Sequence, residues 1–312
     1  MKTIVVNNLV KTYTTGKQTV QALKGISLEV DSGELFGLIG PDGAGKTTLI
    51  RILVTLLLAD SGSAQVDGHE VVQDYKIIRQ RVGYMPGTFS LYQDLTVQEN
   101  LNFFATVFNT SIEENYDLVK DIYVQIEPFK NRRAGKLSGG MKQKLALCCT
   151  LIHKPTVLFL DEPTTGVDAV SRKAFWDMLA NLKKQGITTL VSTPYMDEAA
   201  MCDRVALIQE GTILAIDRPA VINQQFHKPL LAIASTAMFR LLNDLKNYTE
   251  VIAAYPFGEY QHVVMQPDYH PEQLEKYLQG KNHLDLEIKI VSPNIEDSFI
   301  QLMSKNQNQI LS

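Results

Sequence analysis

The sequence predicts an α/β protein: a core of buried strands alternating with helices, followed by a smaller α/β unit. Three observations carry that expectation. The runs "ELFGLIG", "TVLFLDEP" and "TTLVS" are short and apolar, and a helical pattern follows each of them. A glycine-rich turn separates the first run from its helix, "KTTLIRILVTLL". Beyond residue 217 the pattern changes to strand-helix-strand-strand-helix-strand.

Each element has its own local reason. Residues 1 to about 35 alternate apolar and polar positions and turn at Asp31-Ser32-Gly33, which predicts short antiparallel strands. A strand near "SAQVDGHEV" and another at "RVGYM" follow the first helix. Residues 90 to about 150 carry helical periodicity, clearest in "VQENLNFFATVF". The strand "TVLFLDEP" leads to the helix "SRKAFWDMLANLKKQG", and "TTLVS" leads through Pro194 to a helix expected from Met196, with Asp197 and Glu198 in its first turn. "RVALIQEGTILAI" has the form of a closing hairpin. In the second unit come "LLAIAS", "AMFRLLNDLKN", "EVIAAYPFG", "YQHVVMQ", "PEQLEKYLQG" and "LEIKIVS", then a last helix, "NIEDSFIQLMSK". That order fits a ferredoxin-like α/β unit with an accessory packing or regulatory role. The boundaries expected are 1–220 for the main domain, with a helical subdomain at about 88–150, and 228–312 for the accessory one.

Bulk properties narrow the function classes. At 312 residues there is room for one large domain and a smaller one. A net charge of −4 gives no basic field for nucleic acid. No apolar run approaches the length that spans a bilayer, and "MKTIVVNNLVK" lacks the apolar centre of a signal peptide. Cys148, Cys149 and Cys202 have no metal-type spacing and are expected as reduced core thiols, which suits the cytosol.

The chemistry begins at "GPDGAGKT": Gly40, Pro41, Asp42, Gly43, Ala44, Gly45, Lys46 and Thr47 fit G-x-x-x-x-G-K-[ST] between a buried strand and a helix. Glycines let backbone N–H groups converge on phosphate oxygens, and the helix N-terminus adds positive potential. In such a loop Lys46 reaches the β- and γ-phosphates and the Thr47 hydroxyl binds Mg²⁺. In "TVLFLDEP" the apolar run places Asp161 and Glu162 at a strand's carboxyl end. Asp161 there can hold Mg²⁺, and Glu162 can polarise an attacking water.

"LSGGMKQKLAL", Leu137 to Leu147, distinguishes among phosphate-loop proteins. It resembles the signature motif of the ATP-binding-cassette (ABC) ATPases, at the family's order and spacing, over about residues 3–217. The resemblance implies a P-loop NTPase fold: a RecA-like ABC ATPase core with an antiparallel β subdomain and a helical signature subdomain. It further implies that Ser138, Gly139 and Gly140 close on the γ-phosphate held by an opposite subunit, so that two cassettes sandwich two ATP molecules with Mg²⁺. On the same footing Tyr13 stacks on adenine, Thr48 contacts the α-phosphate, and Asp168 of "TTGVD" communicates across the dimer. The C-terminal extension looks like the drug- and antibiotic-resistance exporter branch, whose ATPases are chains separate from their membrane permeases. The expectation is therefore a peripheral subunit at the cytoplasmic face of the cell membrane. It would pair with a second ABC ATPase subunit, as homo- or heterodimer, and with permease subunits, and not with nucleic acid.

Two positions depart from the family pattern. "GYMPG" puts Gly87 where glutamine is usual, and "STP" puts Pro194 where a histidine usually contacts the γ-phosphate. One polar group that stabilises transition-state charge is worth roughly a hundred- to a thousandfold in rate. Good ATP binding with slow hydrolysis is the expectation, and a regulatory subunit beside an active sister ATPase is the alternative. The permease is expected to dock near "TFSLYQDLT" through exposed Phe89, Leu91 and Tyr92.

Overall fold

The protein is described by a computed structural model covering residues 1–16 and 18–310. Two compact units form, one of Met1–Pro219 together with the end of the last helix from Leu302, the other of Ala220–Gln301.

In the larger unit the elements run β1 (Lys2–Thr15), β2 (Gln18–Asp31), β3 (Leu35–Ile39), α1 (Lys46–Leu53), β4 (Ser61–Val66), β5 (His69–Glu70), α2 (Tyr75–Arg81) and β6 (Val82–Met85). They continue through α3 (Val97–Val107), α4 (Tyr116–Tyr123), α5 (Gly139–Leu151), β7 (Val157–Asp161), α6 (Ala169–Lys184), β8 (Thr188–Thr193), β9 (Arg204–Gln209) and β10 (Thr212–Asp217). One sheet has the order β2-β1-β4-β5 and is antiparallel. The other has the order β10-β9-β3-β8-β7-β6, parallel except for β10. Every residue of β3, β7 and β8 is buried, as a parallel strand covered on both faces requires.

The register of the parallel sheet decides what meets at its carboxyl edge. Ile39 lies opposite Thr193, and Asp161 opposite Ser192. The chain after β3, the end of β7 and the end of β8 therefore converge on one edge, where ligands of open α/β sheets bind.

Several elements differ from the sequence expectation. The amino-terminal strands are long, at 14 residues each, because shifts of register along the β1–β2 pairing let two strands stay paired past local irregularities. The helix expected through residue 57 stops at Leu53, because Thr55 adopts a left-handed backbone and Arg79 bonds both its carbonyl and its hydroxyl. Met196–Met201 is one stretch of 3₁₀ helix rather than an α-helix. The Glu198 side chain, which could have faced the helix start, accepts from Thr193 Oγ1 instead. The β9–β10 hairpin forms, and β9 also joins β3 in the main sheet.

Caps explain the helix starts near the site. Thr96 and Glu99 form a reciprocal capping box at α3. Ser138 caps α5, and Asp168 caps α6 by accepting from Val170 and Ser171 at 3.1 and 3.0 Å. Those bonds, Ser171 foremost, hold the Asp168 carboxyl below the usual carboxylate range. All three cysteines are buried and free, and burial pushes their thiols up.

The second part of the chain comprises α7 (Pro219–Gln224), β11 (Leu230–Ala234), α8 (Met238–Lys246), β12 (Val251–Phe257), β13 (Tyr260–Met265), α9 (Pro271–Gly280), β14 (Glu287–Ile290) and α10 (Ile295–Ile310). Its antiparallel sheet has the order β12-β13-β11-β14, the ferredoxin-like arrangement. Leu231, Ile233, Leu241, Leu245, Val263 and Leu274 belong to its core.

Candidate functional site

The loop from Gly40 to Gly45 follows the carboxyl end of β3. Two of its glycines are fixed by space. A Cβ on Gly40 would lie 2.0 Å from the Ile208 carbonyl oxygen. Gly45 has φ +105°, and a Cβ there would lie 2.4 Å from the Ala22 oxygen. Gly40 N–H donates to the Thr193 carbonyl at 3.3 Å, which ties the loop to the end of β8. Ala44 is buried, whereas Pro41, Asp42 and Gly43 line the exposed rim. Lys46 starts α1 and is only 3% exposed. Its Nζ donates to the carbonyls of Gly40 and Pro41 at 2.7 and 3.0 Å and pairs with Glu162 Oε1 at 3.1 Å.

Thr47, next along α1, donates from Oγ1 to Asp161 Oδ1 at 3.1 Å. Asp161 is 3% exposed, and the same Oδ1 accepts from Ser192 Oγ at 2.7 Å. Glu162 follows with a left-handed backbone, φ +51°, uncommon for a residue with a side chain. Its N–H bonds Ser192 at both the hydroxyl and the carbonyl oxygen, 3.0 and 3.1 Å away. Thr165 Oγ1 donates to Glu162 Oε2 at 3.4 Å. Thr48 Oγ1 lies 3.3 Å from the hydroxyl of Tyr13, whose ring is 39% exposed.

The structure thus brings Lys46, Thr47, Asp161 and Glu162 into one hydrogen-bonded cluster, with Tyr13 and Thr48 on its flank. Side chains on Gly40 or Gly45 would collide with backbone, so the loop keeps the close-packed backbone turn of the kind that cradles a polyphosphate. Asp161 and Thr47 supply the hard oxygen donors that Mg²⁺ prefers. No group of three or more His, Cys, Asp or Glu able to hold a metal occurs among the described residues. A cation at this site would accordingly complete its shell with phosphate oxygens and water, the usual Mg²⁺ pattern.

The signature residues Ser138, Gly139 and Gly140 stand apart from this cluster. Among the described residues no hydrogen bond joins them to the loop at 40–48; they adjoin the first turn of α6 and the segment before it instead. A Cβ on Gly139 would be 3.9 Å from the Gly166 oxygen, and one on Gly140 would be 2.8 Å from Ser171 Oγ. Gly87 lies against the backbone of the acidic pair: a Cβ there would be 3.0 Å from the Asp161 carbonyl oxygen and 3.8 Å from Glu162 Cβ. Pro194 directly follows Thr193, the residue that accepts from Gly40. Of the three residues expected on the surface after Gly87, Tyr92 is exposed and Phe89 half-buried, but Leu91 is buried. Leu91 turns inward to line an apolar cavity with Phe104 and Phe108, which corrects the expectation for that side chain. Sequence reasoning gives Ser192 no role; the only signal is its hydroxyl, the third in "TTLVS" after those of Thr188 and Thr189.

A glycine cradle before a helix, with an Asp-Glu pair at the end of a parallel strand one place away across β8, defines a phosphate-loop nucleotide-binding cassette. The sequence pattern described as "ABC transporter" matches residues 23–165. The chain is 37% identical over 286 residues to a probable multidrug ABC transporter ATP-binding protein of Escherichia coli, YbhF, covering 90% of this chain and 49% of that protein. It therefore spans about half the length of that relative. It is 35% identical to the Nod factor export ATP-binding protein I of Burkholderia lata, covering 91% and 92% of the two chains. Among solved structures, a dimeric ATP-binding cassette in a post-hydrolysis state with ADP and Pi superposes with a TM-score of 0.62 at 25% identity, covering 69% of this chain and 98% of that one. The chain belongs to the ABC transporter ATP-binding family.

Proposed function

We propose that this chain binds Mg-ATP between two cassettes and hydrolyses it to drive export through separate membrane permease subunits. The observation that supports this most is the convergence of Lys46, Thr47, Asp161 and Glu162 on one strand edge. Lys46 is positioned to neutralise phosphate charge, and Thr47 with Asp161 would hold Mg²⁺. Mg²⁺ held there would supply positive charge against the phosphates. Glu162 orients a water and accepts its proton; its carboxylate is held at one oxygen by Lys46 and at the other by Thr165. Tyr13 offers an aromatic face to the base. Ser138 to Gly140, distant from their own chain's loop, would serve the nucleotide of a second cassette.

No described helix is long and apolar enough to cross a membrane. A membrane role would run through partners, and we place the chain at the cytoplasmic face. The apolar cavity of about 310 Å³ beside Gly87, lined by Phe89, Leu91, Phe104 and Phe108, suits an apolar helix end from a permease. The export direction rests on the names of the relatives.

A second function, that of a slow regulatory cassette beside an active sister, is favoured by Gly87 and Pro194. The first presents no side chain to Asp161 and Glu162, and the second offers neither N–H nor titratable group. Glu162→Gln tests the catalytic role. Single-turnover hydrolysis is expected to fall by roughly a hundredfold or more, with ATP affinity kept and an ATP-bound dimer persisting on gel filtration. Unchanged turnover removes Glu162 from the role.

A further inference from the structure

We infer that Ser192 is a positioning residue for ATP hydrolysis: one buried hydroxyl fixes both the Mg²⁺-holding carboxylate of Asp161 and the backbone of Glu162. This rests on the function proposed above and gives a role to a residue of "STP" to which the sequence pattern assigns none.

Ser192 is fully buried in β8, directly opposite Asp161 in the parallel register. A serine hydroxyl has one proton to donate and lone pairs to accept with. The proton goes to Asp161 Oδ1 at 2.7 Å, and a lone pair receives Glu162 N–H at 3.0 Å. The two acidic residues thus share one anchor although their side chains have different tasks.

The direction of each bond gives the anchor its effect. Thr47 Oγ1 also donates to Oδ1, so both hydroxyls load the same oxygen of Asp161. Among the described residues no hydrogen bond reaches Oδ2. The carboxylate is consequently locked in rotation, with Oδ2 left for a cation. Partners of this kind, one shell out from a metal, typically carry a 10- to 100-fold share of affinity or activity.

Glu162 depends on the same group in another way. Its φ of +51° is a conformation that costs energy for a residue with a Cβ, and surrounding bonds must hold it. The bonds from its N–H to Ser192 Oγ and Ser192 O do so. Losing the hydroxyl leaves one of the two, so the peptide before the catalytic carboxylate gains freedom. A small misplacement of a reacting group is enough to cost rate.

The test compares the native chain with Ser192→Ala and Ser192→Thr by Mg²⁺ titration of ATP binding, ATP affinity in EDTA, thermal melting and single-turnover hydrolysis. For Ser192→Ala the apparent Mg²⁺ affinity and the single-turnover rate are each expected to fall about tenfold or more. ATP affinity in EDTA should stay within about twofold of native, since the loop and Lys46 are untouched. Ser192→Thr, which keeps the hydroxyl, should retain the native Mg²⁺ dependence. An alanine variant with native Mg²⁺ dependence and rate overturns the role, and so does a threonine variant as defective as the alanine one. An equal loss of ATP affinity with and without Mg²⁺ also overturns it, because that marks a merely structural residue. A native chain that shows no gain from Mg²⁺ overturns the proposed function itself, which separates the two failures.

Discussion

Asp161 in the larger unit and Asp297 in the smaller one are both buried carboxylates at the junction of a strand layer and a helix. Asp297 spends both oxygens on its own chain. Oδ1 accepts from Tyr255 at 2.7 Å and lies 2.6 Å from His262 Nδ1, while Oδ2 accepts from Asn294 N–H at 2.9 Å. Burial first, and the Asp297 bond second, push the Tyr255 hydroxyl up. That network ties the start of α10 to β12 and β13, and each member has a partner. Asp161 gathers two hydroxyls on Oδ1, and among the described residues no hydrogen bond reaches its Oδ2. A buried polar group that is fully satisfied specifies structure, whereas one held in place with a free valence is poised for a ligand.

Three changes break or sharpen that contrast. The largest effect is expected from Asp297→Ala. It strips an acceptor from three donors and should destabilise the smaller unit by about 3 kcal/mol, seen as a lower melting transition. ATP affinity should not follow; a tenfold loss of affinity would dissolve the distinction between the two carboxylates. Next comes the double replacement Gly87→Gln with Pro194→His, which adds one polar group against the backbone of Asp161 and another just after β8 rather than removing any. Single-turnover hydrolysis should rise between about ten- and a hundredfold, less than two independent gains because such groups act as a unit. No rise in a folded variant sinks the slow-cassette alternative. Space is tight at the first position, with the new Cβ 3.0 Å from the Asp161 oxygen, so the β6–α3 loop must yield by a few tenths of an ångström. The smallest effect belongs to Tyr13→Ala, since an exposed ring stacked on a base is worth about 1–3 kcal/mol. ATP affinity measured by equilibrium binding should drop roughly tenfold, with melting unchanged, and Tyr13→Phe should restore most of it.

Much of the fold is visible in the sequence because periodicity reports burial. The apolar runs at β3, β7 and β8 need two covered faces, and the ferredoxin-like order follows from alternating element types. What stayed hidden depends on register and on single backbone angles. Ser192 looks like any small residue in a buried strand until it is known to face Asp161. The early end of α1 turns on the left-handed backbone of Thr55, which no pattern of hydrophobicity encodes. Leu91 could be counted as surface or core with equal justice, because one apolar residue in a loop has no period to read. The phosphate loop, by contrast, carries its steric requirement in its letters: the spaces at Gly40 and Gly45 admit nothing larger.

The parallel pairing of β3 with β8 has a consequence in time as well as in space. The Gly33–Thr188 hydrogen bond at the start of that pairing joins residues 155 positions apart, and no short hairpin can bring them together. Closing so long a loop is a late and slow event in folding. A ribosome must have released nearly all of the larger unit before Ser192 can meet Asp161. Glycine loop and helix α1 can form early from adjacent chain, but the acidic edge opposite them arrives last. In a nascent chain, competence to bind a nucleotide would therefore report that β3, β8 and β7 have come together.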